Sequence, residues 1–230
     1  MKDFSTFEKK VGVSFRDKDL LTQAFVHRSY INENPKFRMG HNERLEFLGD
    51  AVLELSVTDY LYRKYPEKTE GDLTSYRAAL VNAHIISDAA ADLGMNEYLL
   101  LSKGEAKDTG KAREYILANV FESFVGALYL DQGYEAANKF VGDSLFDRLD
   151  YIVRKGLFRD AKSKIQEKAQ EHAGVTPSYK VMRESGPDHD KVFTVAIYFG
   201  DEKVAEGSGR SKQEAEQKAA TAALKEKQWR

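Results

Sequence analysis

Glu43, Glu46 and Asp50 stand at i, i+3 and i+7 in the run HNERLEFLGDA, residues 41–51. On a helix that spacing puts three carboxylates on one face. Like charges so placed cost ~0.2–0.5 kcal/mol per pair, and Gly49 adds roughly 1 kcal/mol inside a helix. Several unfavourable choices in one short run usually serve a site. The plainer alternative is a solvated charged face neutralised by Arg44 and other basic groups. Against it, Leu45, Phe47, Leu48 and Ala51 flank the acids.

A second run, YILANVFE at 115–122, sets Asn119 and Glu122 at i, i+3 in strongly apolar surroundings. A glutamate among Val120, Phe121, Phe124 and Val125 must neutralise, pair or bind a cation. Hard oxygen ligands from two helices suit Mg²⁺ or Mn²⁺. Two such ions about 3.5–4 Å apart could activate water and stabilise the leaving oxygen in phosphodiester hydrolysis.

Other chemistries fit poorly. The chain has no cysteine, so thiolate sites and disulfides are excluded. None of the histidines, at 27, 41, 84, 172 and 189, carries the local signature of a triad base. There is no glycine-rich phosphate loop, so no nucleotide cofactor is expected.

The elements that must position the acids follow from periodicity. Leu20, Leu21, Ala24 and Phe25 recur at helical spacing, as do Leu45, Leu48, Val52, Leu53 and Leu55. The pattern continues from Asp72 to Leu93. The polar stretch SKGEAKDTGK, 102–111, reads as a mobile loop, and a helix is expected over 112–130, stopped by Gly133. Residues 1–153 are thus predicted all-helical. From 161 to 228 the texture changes to a helix, three short alternating strands and an Ala-rich helix, an α-β-β-β-α module. Residues 154–160 are predicted to link the two.

The 230 residues carry a net charge of −2, so bulk charge gives no support to a nucleic-acid partner. Residues 1–159 hold 22 Lys and Arg against 25 Asp and Glu, and residues 160–230 hold 13 against 12. The first ten residues lack the apolar core of a secretory signal, and Ile116 to Leu130 is too short and too interrupted to span a bilayer, so a cytoplasmic protein without a membrane partner is expected.

ERLEFLGDA, Glu43 to Ala51, resembles the signature of ribonuclease III across all nine residues. FVHRSY (25–30), EGDL (70–73) and Ile116 to Asp131 resemble family segments in the expected order. The resemblance implies an all-α endonuclease domain that forms a homodimer, with Mg²⁺ as cofactor and Mn²⁺ able to substitute. Two sites, each cutting one strand of a double-stranded RNA, would leave 5′-phosphate and 3′-hydroxyl ends, in rRNA and mRNA processing. Carried over by position, Glu46, Asp50 and Glu122 match metal-binding carboxylates. Glu43 matches a supportive acid, Glu70 an acid near the site that assists cleavage, and Phe47 a dimer-interface aromatic, although an ordinary core phenylalanine explains Phe47 equally well. Asn119 stands where the family usually has Asp. Its amide oxygen can still meet a hard cation but brings no charge. It is either a variant tolerated with altered metal demand or a change that slows cleavage and traps substrate, so a double-stranded RNA-binding protein with weak or absent cleavage is the alternative.

The second module resembles a double-stranded RNA-binding domain through SKIQE (163–167), PSY (177–179), GSGRSK (207–212) and Ala215 to Ala223. The resemblance implies RNA contacts from Gln166, from the loop at Pro187 and His189, and from Arg210, Ser211, Lys212 and Lys218, reading A-form shape and phosphates. Gln213 falls where the family often has a second basic residue, which should weaken the phosphate contact.

Overall fold

The computed structural model describes residues 2–155, 161–187 and 191–229. Its packing divides the chain into two compact units, Met1–Phe158 and Arg159–Arg230.

The first unit is helical: α1 (Ser5–Val11), α2 (Lys18–Ala24), α3 (Arg28–Glu33), α4 (Glu43–Lys64), α5 (Glu70–Leu80), α6 (Ala83–Asp92), α7 (Lys111–Gln132) and α8 (Tyr134–Lys155). Side-chain caps set several of the helix starts. Asp17 accepts from the backbone N–H groups of Asp19 and Leu20, Asn82 accepts from that of Ile85, and Thr69 forms a reciprocal capping box with Asp72. α7 is the central helix. From Ile116 to Leu128 only Asn119 and Glu122 are less than buried. Around its middle lies an aromatic cluster in which Phe124 meets Phe7, Phe15, Phe25 and Phe140 at ring-centroid distances of 4.8–6.3 Å.

Two expectations change in detail. The pattern over Asp72 to Leu93 is two helices, because Asn82 turns the chain and caps α6. The 102–111 stretch contains a 3₁₀ turn at Glu105–Lys107 and is tethered. The backbone N–H of Ser102 donates to Ser29 Oγ at 3.0 Å, that of Lys103 to Glu33 Oε2 at 3.0 Å, and the Arg113 guanidinium to the carbonyls of Glu105 and Asp108.

The second unit packs α9 (Ala161–Ala173) and α10 (Lys212–Glu226) on one antiparallel sheet of β1 (Pro177–Ser185), β2 (Val192–Phe199) and β3 (Glu202–Gly209), in the order β1-β2-β3. The alanines explain the fit. Ala215, Ala219, Ala220 and Ala223 are buried on α10, and a Cβ added to Gly207 of β3 would lie 2.2 Å from the Ala219 nitrogen. Small residues on both sides let helix and sheet approach closely. Of the predicted linker, Arg154 and Lys155 belong to α8, and 156–160 lie outside the described residues.

Candidate active site and nucleic-acid interface

The acidic residues of α4 and α7 meet at a crossing of two glycines. A Cβ added to Gly49 would stand 1.7 Å from the carbonyl oxygen of Glu122, and one added to Gly126 would stand 2.3 Å from the carbonyl oxygen of Leu45. The helices therefore touch backbone to backbone. Glu122 is brought against α4 between the positions of Glu46 and Asp50, and Gly49 is placed there by packing.

The start of α4 is tied to its neighbours through Asn42. Asn42 is buried, and its amide donates to the Ala24 carbonyl at 3.3 Å instead of capping the helix. Ser123 Oγ donates to the Asn42 carbonyl at 3.4 Å. Glu43 and Glu46 occupy the first turn of α4, where the positive end of the helix dipole offsets part of their mutual repulsion.

Electrostatics joins the carboxylates. Burial, then Asp50, then Glu46 push the Glu122 carboxyl up to about 7. Burial, then Glu43 and Asp50, raise Glu46. None of the Glu46, Asp50 and Glu122 carboxylates has a hydrogen-bond or ion-pair partner among the described residues. Nor are three His, Asp or Glu side chains already gathered there around one point as a finished metal cluster. The carboxylates share a field before they share a ligand. Three hard carboxyl groups plus the half-buried Asn119 amide, with no pairing cation among the described residues, suit a hard divalent cation.

Glu43 faces other partners. Arg28 Nη1 lies 3.8 Å and His41 Nδ1 3.7 Å from its carboxylate oxygens, and that histidine nitrogen is buried without a hydrogen bond. Glu70, in the first turn of α5, accepts from Thr74 Oγ1 at 3.1 Å and lines a groove with Leu61, Tyr62 and Arg77. That groove meets α4 around Thr58 and Leu61, two turns past Asp50 and so ~12 Å along the helix. Within one chain Glu70 does not join the carboxylate group. Phe47 is 83% exposed and is no part of the core. Leu55 and Tyr62 are also exposed on α4.

In the second unit Gln166 on α9, Pro187 after β1, and Arg210, Ser211, Lys212 and Lys218 at α10 are all exposed. His189 lies outside the described residues. Ser211 Oγ caps α10 by accepting from the Glu214 N–H at 3.1 Å. The Arg210 N–H donates to Glu214 Oε2 at 2.8 Å, and Lys218 pairs with Glu214 at 2.7 Å. Lys212 lies over the Phe193 ring and 3.6 Å from Glu184.

Residues 17–149 match the family model described as Ribonuclease-III-like. Residues 161–227 match the double-stranded RNA binding motif. The chain belongs to the ribonuclease III family. Ribonuclease 3 of Borreliella burgdorferi is 44% identical over 222 residues, covering 96% of this chain and 90% of its own. Ribonuclease 3 of Anoxybacillus flavithermus is 45% identical over 224 residues, covering 96% and 92%. The solved nuclease domain of ribonuclease III from Campylobacter jejuni is similar to the first unit, with a TM-score of 0.56 and 36% identity, covering 62% of this chain and 98% of that one.

As a ribonuclease III, the chain is an endoribonuclease of double-stranded RNA, and the alternative of a binder that does not cut is not favoured. Among the described residues no helix is long and apolar enough to cross a membrane. Sequence reasoning located the acids of α4 and α7 but missed three features of this ribonuclease III. The Gly126 contact was hidden because a glycine in an apolar helix carries no signal of what it touches. The Arg28 and His41 pairing with Glu43 depends on tertiary placement. Glu184 gave no signal beyond being an acid at a strand end.

Proposed function

We propose that the chain cuts duplex RNA as a homodimer in which each protomer holds Mg²⁺, or Mn²⁺ in its place, through Glu46, Asp50, Asn119 and Glu122. The observation that carries the metal assignment is the α4–α7 glycine crossing, which gathers Glu46, Asp50 and Glu122 with no ion-pair partner among the described residues. Burial, Asp50 and Glu46 thus push the Glu122 carboxyl up to about 7. A bound divalent cation supplies the Lewis acidity that activates water and stabilises the leaving 3′ oxygen. The protein contributes placement. The glycine crossing fixes Glu122 against α4, the buried Asn42 anchors the helix start, and Asn119 offers a neutral oxygen one turn before Glu122. Glu43 acts from beside the cation, with Arg28 and His41 within 4 Å of its carboxylate.

The exposed Phe47, with Leu55 and Tyr62 on the same helix, is the dimer face. In the Campylobacter jejuni nuclease domain, structural flexibility is found in a region involved in dimer formation, so that relative has a dimer-forming region of its own. Glu70, remote from its own protomer's carboxylates, serves cleavage from the dimer valley. The products are 5′-phosphate and 3′-hydroxyl ends, and the setting is rRNA and mRNA processing in the cytoplasm.

Gln166, Pro187, His189, Arg210, Ser211, Lys212 and Lys218 form the RNA-reading face. The test is incubation of a long duplex RNA with Mg²⁺ or Mn²⁺, with identification of the product ends. Cleavage to 5′-phosphates that chelation abolishes supports the reading. Cleavage that survives chelation overturns the metal assignment.

A further inference from the structure

We infer that Glu184 is a built-in competitor of RNA phosphate, lowering the affinity and the salt dependence of duplex binding. The inference rests on the RNA-reading face proposed above. Glu184 stands near the end of β1, and its carboxylate serves two lysines from different elements. Lys212, the first residue of α10, is 3.6 Å away, and Lys191, just before β2, is 3.9 Å away. Lys212 is itself a proposed RNA-contact position, and Lys191 follows two others, Pro187 and His189, along the chain.

Glu184 and Lys212 are exposed and Lys191 is partly exposed, so a phosphate can reach the lysines but meets the carboxylate there. Exposed ion pairs of this kind are weak, so they yield to a phosphate without blocking it. Residues 160–230, these three included, offer little surplus positive charge, with 13 basic against 12 acidic residues. One carboxylate between Lys212 and Lys191 therefore weighs heavily. Glu214 also holds an RNA-facing lysine, Lys218, but it accepts the Arg210 N–H and so shapes the start of α10. Among the described residues Glu184 accepts no backbone N–H, and its charge is free to act on binding alone. When RNA phosphates take both lysines, the released Glu184 draws a cation from solution, which offsets a counterion set free from the RNA.

The test is binding of the full chain to a duplex RNA of about 20 base pairs, without divalent cation, across a range of KCl concentrations. Glu184→Gln is compared with the unmodified chain and with Glu202→Gln. The latter makes the same charge change at the opposite end of the sheet, where Glu202 pairs with Lys227 at 2.9 Å. Glu184→Gln is expected to bind about fourfold more tightly at low salt. Its plot of log affinity against log salt should be steeper by up to about one unit. Glu202→Gln should match the unmodified chain. Equal affinity and slope for Glu184→Gln, or equal tightening by both variants, overturns the inference while leaving RNA binding intact. No binding by any chain overturns the RNA-binding reading and this inference with it.

Discussion

The carbonyl oxygen of Glu122 lies 1.7 Å from where a Gly49 side chain would begin. One missing methyl group on α4 thus lets the half-buried glutamate of α7 settle between Glu46 and Asp50. This single contact links packing to chemistry, because the same approach that buries Glu122 also gathers the negative charge around it.

Gly49→Ala tests the link. In an exposed helix the change would stabilise by roughly 1 kcal/mol. Here it must push α7 away, and a loss of about 2–4 kcal/mol is expected, with cleavage falling in parallel. Urea denaturation reads the first effect and a cleavage assay the second. A variant more stable than its parent contradicts the backbone contact.

Glu122 ties stability to pH. Its folded carboxyl titrates at about 7, above the ordinary value of 4.5, so the folded state binds the extra proton. Stability from this group is full below about 4.5 and is lost as pH rises through 7. With chelator present, Glu122→Gln should remove that slope and be more stable than the parent at pH 8 by about 1–3 kcal/mol. Thermal melts at pH 5 to 8 measure it. A less stable Glu122→Gln at pH 8 would count against the half-buried, unpaired carboxylate.

Asn119→Asp adds a charged oxygen one turn from Glu122. The concentration of Mg²⁺ needed for half-maximal cleavage should fall about tenfold or more, while the metal-free protein loses up to about 1 kcal/mol to added repulsion. A metal titration of cleavage rates checks the first part. An unchanged requirement would remove Asn119 from the ligand set.

Phe47→Ala should leave the folded monomer intact, since the ring is 83% exposed. Loss of a central aromatic anchor should weaken dimerisation by roughly 30-fold. Sedimentation velocity over a concentration series reports it. Unchanged association would place the dimer contact elsewhere.

Much of this was readable in the sequence because the signals were local. The i, i+3, i+7 acids, the apolar setting of Glu122 and the alternation of the three strands depend only on neighbours along the chain. Asn82 broke what periodicity joined, because a cap outweighs a continuous apolar pattern. The tether on 102–111 was illegible, since it runs to Ser29 and Glu33, some seventy residues away. Gly49 was legible as an anomaly, yet its cause was not, because that cause is a carbonyl on another helix. Phe47 was ambiguous between core and surface, and only the packed helix settled its exposure.

The most direct test of the central claim compares Glu122→Ala with the unmodified chain on one duplex RNA, measuring binding in chelator and single-turnover cleavage in Mg²⁺. Full binding with cleavage reduced by a factor on the order of 10³ or more is the predicted result. Cleavage by Glu122→Ala near the parent rate would contradict the account.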